Sequence, residues 1–208
     1  MIQLEDFFTY WQGTPNQKKA VEILQKAMPI ELLQDSSEWV LQYRTADAPA
    51  AHASGIPPQG IALCHEFEGC VLHPYNDGVG VATIGWGNTF YADGRKVSMS
   101  DPDISQAEAD HIFDVIADKN FWSVIQNTIP YWGEMNDNQR SALFSFSYNL
   151  GAYFYGSSGF NTISRVLKEK DWDKVPDAFD LYCNPGSSVE AGLRRRRAAE
   201  GDLWCKPM

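Results

Sequence analysis

The sequence predicts an α+β fold, mostly helical, with a small β-hairpin lobe beside a helical lobe, a cleft between the two, and a small N-terminal helical module in front. Three observations carry that prediction. Helical periodicity and capping signals dominate the chain, glycine-interrupted β character is confined to residues 75–90, and a proline-containing stretch near residue 50 divides the chain unevenly. At 208 residues, with 44% hydrophobic and 21% charged residues, the chain suffices for one good-sized domain and an appendage.

Residues 1–45 open the chain as the helical module. Thr14-Pro15-Asn16-Gln17 supplies an N-cap, a proline in the first turn and a capping-box Gln, followed by Val21, Leu24 and Met28 at helical spacing. Asp35-Ser36-Ser37-Glu38 repeats the signal. Phe7, Phe8, Tyr10 and Trp11 serve either as its core or as a sugar-binding surface, since flat rings stack on pyranose faces; core packing is the preferred reading. Small residues and three prolines fill residues 46–58, so 46–57 are read as a linker and 58–208 as the main domain.

The main domain begins with a helix over 58–69, with Leu63 and Phe67 on one face. Asn76-Asp77-Gly78 then signals a turn, and Val79, Val81, Thr83 and Trp86 among Gly80, Gly85 and Gly87 indicate short strands. Ser105-Gln106-Ala107-Glu108 opens the next helix as a capping box. Asn136-Asp137-Asn138-Gln139 opens another, apolar nearly all round from Ala142 to Leu150 and stopped by Gly151, which places it at the domain centre. Further helices are expected near 159–170, 172–183 and 190–204.

Composition narrows the function. A net charge of -10 argues against nucleic acid as a partner, because a duplex binder needs a broad basic face. It also gives no long-range steering toward a polyanionic surface. No run of eighteen apolar residues occurs and the N-terminus lacks a secretory pattern, so cytosolic synthesis without stable membrane insertion is expected. Cys64, Cys70, Cys183 and Cys205 are read as reduced thiols, with Cys64–Cys70 or Cys183–Cys205 bridges as the alternative after export. Cys64, His65, Cys70 and His73 crowd one helix end and do not match zinc spacing, so neither metal nor cofactor is expected.

Glu68, Asp77 and Thr83 carry the chemistry. Cleaving a glycosidic bond needs a proton for the leaving oxygen and an activated nucleophile, hence two acids in different environments. Glu68, beside Phe67 at a helix end, suits the acid; Asp77, in a turn, suits the ionised partner; Thr83 adds a hydroxyl that can hold a water in few rotamers. Taken singly, each is as well explained as a surface acid, a turn former and a strand residue.

Taken together, Glu66-Phe67-Glu68-Gly69, Leu72, Tyr75, Asp77, Gly80, Thr83-Ile84-Gly85-Trp86-Gly87 and Thr89 resemble the signature of phage-type lysozymes, glycoside hydrolase family 24. The likeness continues through Asn138-Gln139, Ala142-Leu143, Ser145-Phe146, Asn149-Leu150-Gly151, Gly192-Leu193, Arg196-Arg197 and Glu200. It implies a lysozyme-like fold and an endolysin-type muramidase, acting as a monomer on peptidoglycan glycan strands. Such an enzyme hydrolyses the β-1,4 bond between N-acetylmuramic acid and N-acetylglucosamine with inversion, with Glu68 as general acid and Asp77 and Thr83 positioning water. It would be made in the host bacterial cytoplasm and reach the wall after release. A lytic transglycosylase, or a noncatalytic peptidoglycan- or chitin-binding protein, is the alternative.

The resemblance also implies that one of Arg194 to Arg197 pairs with Glu68 in the empty enzyme; for most of these arginines a solvated face with local pairing to Glu200 is preferred. The chain departs from the family in carrying Asn88 where His is common. Asn149 is a candidate for binding an acetamido group, equally readable as a helix-end residue making local bonds, and Trp86 is a candidate sugar-stacking ring, equally readable as packed. His65 is read as structural, and Asp101 and Asp103 as leading into the Ser105 cap.

Overall fold

A computed structural model describes residues 55–207. The expected module 1–45 and most of the linker lie outside the described residues. Within them the order is helix α1 (Pro58–Glu68), strands β1 (Val71–Asn76) and β2 (Ala82–Gly85), then helices α2 (Gln106–Ala117), α3 (Ser123–Thr128), α4 (Asp137–Leu150), α5 (Asn161–Glu169), α6 (Val175–Phe179) and α7 (Glu190–Cys205). The domain is thus mostly helical with one two-stranded antiparallel sheet.

β1 and β2 pair with Tyr75 opposite Thr83 and Asn76 opposite Ala82, and the register breaks between Val71 and Tyr75. That break spans Pro74, which has no N–H to give to a ladder. The same proline hid the first half of the strand: sequence places the onset of β character at residue 75, four residues late. Val79, expected in a strand, is instead the exposed tip of the turn, and β2 starts at Ala82. Beyond β2, backbone bridges join Ile84 to Asn88 and Phe90 to Lys96 and extend the small lobe.

Of the capping signals within the described residues, the one at Ser105 forms as an N-cap and the one at Asn136 as a reciprocal capping box. Ser105 Oγ accepts the Glu108 amide at 3.1 Å, and at α4 Asn136 and Gln139 exchange side-chain bonds to each other's backbone N–H at 2.9 Å. Between α2 and α3 the chain passes through one π-helical segment, Asp118–Trp122, which periodicity alone did not signal.

α4 is the central helix, buried from Ser141 to Ser147. Its small residues let neighbours approach closely. A Cβ on Gly60 of α1 would lie 3.1 Å from Ser141 Oγ and 3.3 Å from the Phe144 ring, so any larger residue there would press on both side chains at the α1–α4 contact. The larger core packs Phe113, Phe144, Phe146, Phe154 and Phe179 around this helix. A second core joins Ile84, Tyr91, Val97 and Ile104 of the small lobe to Ala109 and Ile112 of α2. Trp86 packs against both cores, at the junction between the lobes.

Candidate active site

Glu68 is the last residue of α1, and its side chain keeps 23% of its surface exposed. A Cβ on Gly87 would sit 3.9 Å from Glu68 Oε2, and Gly87 holds φ +86°, where L side chains are strained. The carboxylate therefore lies close to the small-lobe backbone at Gly87, where the positive φ, not crowding, favours glycine.

Across the sheet, Asp77 begins the turn. Its Oδ1 accepts the amides of Val79 (2.9 Å) and Val81 (2.8 Å), which fixes the carboxylate's orientation and leaves Oδ2 as the second acceptor. Val81 ties Asp77 to Thr83: its carbonyl accepts both the Asp77 amide at 3.0 Å and the Thr83 hydroxyl at 2.9 Å. Thr83 is only 3% exposed, and because its proton is already donated, its oxygen meets any further partner as an acceptor. Tyr75, opposite Thr83, reports on both acids. Burial pushes its phenol pKa up, and the negative charges of Asp77 and Glu68 push it further.

Sequence left open which arginine faces Glu68. It is Arg196, whose Nη1 donates to Glu68 Oε1 at 2.5 Å while its Nη2 donates to the Ser145 carbonyl at 3.1 Å. Burial lowers its pKa, but the opposing charges of Glu68 and Glu200 more than offset that and raise it. The preferred reading of a solvated arginine face fails for half of the run. Arg194 is exposed and pairs with Glu190, and Arg195 is exposed; Arg196, Arg197 and Glu200 are buried. Burial of these charges follows from the helix meeting α4, where Ser145 and Asn149 offer hydrogen-bonding groups and Phe146 offers a ring 4.8 Å below Arg197.

Asn149 lies at the end of α4, with its Oδ1 accepting Arg197 Nη2 at 2.7 Å, which leaves the Nδ2 group as its donor half. Trp86 stacks one face on His65, with ring centroids 3.7 Å apart, and donates its indole N–H to Asp110 at 2.7 Å. Burial pulls the His65 pKa down against the charge of Asp110, so this imidazole serves as a neutral packing partner near neutrality. Asn88 is buried beside the Tyr148 hydroxyl, which itself donates to the Trp86 carbonyl at 3.2 Å. The four cysteines are free thiols, and among the described residues no cluster of His, Cys, Asp or Glu is arranged to hold a metal ion.

Sequence reasoning left open which arginine meets Glu68, gave Tyr75 only as a motif residue, and did not single out Tyr148. Glu200 follows Arg196 by four residues and Arg197 by three, a spacing that marks one helix face and was the available signal.

Comparison with known proteins agrees with the fold and the motif. The family model for phage lysozymes matches residues 65–200. The endolysin of Lactococcus phage c2 is 30% identical over 74% of this chain and 61% of its own length, so the chain spans about three fifths of that relative. The endolysin of Salmonella phage P22 is 29% identical over 68% of this chain and 92% of its own. A crystallised variant of P22 lysozyme superposes with a TM-score of 0.60 at 27% identity, covering 73% of this chain and 98% of that one.

Proposed function

The chain belongs to the phage lysozyme family, and on that premise we propose that it is an endolysin-type muramidase that hydrolyses the β-1,4 bond between N-acetylmuramic acid and N-acetylglucosamine in bacterial peptidoglycan. The observation that supports this reading is that Tyr75, paired with Thr83 across the sheet, feels the negative charges of both Asp77 and Glu68. Glu68 comes from the helical side over Gly87, and Asp77 and Thr83 come from the hairpin, bound to each other through Val81.

A glycan strand laid between the lobes would put its scissile oxygen against Glu68, which donates the proton that lets the leaving sugar depart. Water is held on the other face. Thr83, whose own proton is committed to Val81, accepts one hydrogen bond from that water, and Asp77 Oδ2 accepts the other and takes the proton as the oxygen attacks the anomeric carbon. Attack from the face opposite the leaving group inverts the anomeric centre.

Substrate seating follows from the side chains nearby. Asn149, fixed through its oxygen by Arg197, directs Nδ2 as a donor toward an acetamido carbonyl. Trp86 has one face covered by His65, so stacking on a sugar would use its other face. No helix among the described residues is long and apolar enough to cross a membrane, and we place the enzyme's action at the wall after release from the producing cell.

Glu68→Gln tests the reading in a turbidity assay on purified cell walls. It keeps the shape and removes the proton, so clearing is expected to slow by roughly 10²–10⁴-fold, the usual worth of a positioned general acid. Clearing at the parent rate contradicts it.

A further inference from the structure

Beneath Glu68 lies a buried polar layer with no counterpart in the sugar chemistry itself. Glu200 is fully buried and holds a guanidinium against each carboxylate oxygen. Oε1 accepts Arg196 Nε at 3.3 Å and the Ser145 hydroxyl at 2.7 Å, and Oε2 faces Arg197 Nε at 3.2 Å. Arg196 is therefore the middle of a chain: Nη1 on Glu68, Nε on Glu200, Nη2 on the Ser145 carbonyl.

We propose that Glu200 is a positioning residue for bond cleavage, sharing the Arg196 guanidinium with Glu68 and giving that cation a second seat whenever Glu68 has to carry a proton. The assignment rests on the muramidase reading for its kinetic consequence, but its geometry stands alone. Arg196 occupies Glu68 Oε1 in the free enzyme, whereas a general acid has to carry a proton toward the substrate when one is bound. A guanidinium with one carboxylate partner resists that exchange. One with two partners still has a carboxylate against it when the first is neutralised, here Glu200, which it shares with Arg197, so it keeps its place in the layer.

The surroundings leave this task to the two carboxyls. Cys64 from α1 and Tyr148 from α4 also feel these charges, but burial pushes both well above their ordinary pKa values, so they stay neutral. Tyr75 on β1 faces Glu68 and is raised likewise. On the far side of the layer Arg197 is flanked by Cys183 and by Phe146. Burial pushes Glu200 itself up to about 7 against the pull of Arg197, Ser145 and Arg196.

Glu200→Gln tests the proposal on the full chain with two readouts. The first needs no substrate: the Arg196 Nε–H signal in nitrogen NMR is expected to exchange with water at least tenfold faster than in the parent, because its charged acceptor is gone. The second is the pH–rate profile of wall cleavage. With Arg196 committed to Glu68 alone, the alkaline limb is expected to move down by about one pH unit, with kcat reduced and KM held. A folded variant with parental Arg196 exchange, or with the parental limb, overturns the assignment. If Glu200→Gln does not fold, the double variant Arg197→Met, Glu200→Gln removes the buried carboxylate together with one cation and is read in the same two ways; a double variant that behaves like the parent or also fails to fold overturns it. Glu68→Gln run in parallel separates the two claims. An inactive Glu68→Gln beside a parental Glu200→Gln sinks only the role of Glu200, whereas an active Glu68→Gln sinks the muramidase reading and leaves Arg196 exchange to judge Glu200.

Discussion

At the scale of single residues, the hydrogen-bond bookkeeping of Thr83 makes a sharp demand. Thr83→Val keeps the β-branched frame and removes only the hydroxyl, and the Val81 carbonyl it leaves still holds the Asp77 amide. The fold should survive, while kcat falls by about 5- to 150-fold, the equivalent of one transition-state hydrogen bond worth ~1–3 kcal/mol. Steady-state kinetics on soluble glycan fragments checks it, and unchanged kcat would mean the hydroxyl never meets the water. Asn149→Ala is expected to act mainly on KM, raising it roughly tenfold through one lost bond to substrate. Glu68, Asp77 and Thr83 were identifiable as candidates because their chemistry and spacing coincide in one short segment. Arg196 was not: in four consecutive arginines each side chain points about 100° from the last, and only the helix packed alongside decides which one meets Glu68.

At the scale of elements, glycine positions in helices divide by what surrounds them. Gly60→Ala forces a methyl into Ser141 and Phe144 and should cost about 1–3 kcal/mol, seen as a lower melting temperature. Gly192→Ala in α7 meets open space at helical geometry and should add up to about 1 kcal/mol. A melting temperature that rises in both would mean that Ser141 and Phe144 give way to the added methyl. Helix boundaries were well marked in the sequence because caps are local chemistry: α1 ends one residue short of its expected end, and α4 starts at its capping box. The strand onset and the π-helical segment were not marked, since Pro74 interrupts alternation and a π turn leaves no distinct periodicity in five residues. Ser141, Ser145 and Ser147 on α4 are polar in sequence yet buried, because each sits where α4 meets a neighbour or bonds inward.

At the scale of the whole molecule, the buried Arg196–Glu200–Arg197 layer couples stability to pH. Burial raises Glu200 from 4.5 to about 7, so the native state retains a proton there that the unfolded chain releases first. Its contribution is fully present below pH 4.5 and is lost as pH rises through 7. The parent is expected to lose stability across that window, and Glu200→Gln to lose less of it, in melting curves taken at pH 5 and pH 8. Equal losses in both would place the titration elsewhere. The most direct test of water activation between Asp77 and Thr83 is mass spectrometry of muropeptides released from purified peptidoglycan in ¹⁸O-labelled water. Reducing-end N-acetylmuramic acid carrying one labelled oxygen is the expected product; a 1,6-anhydro end without label would contradict hydrolysis.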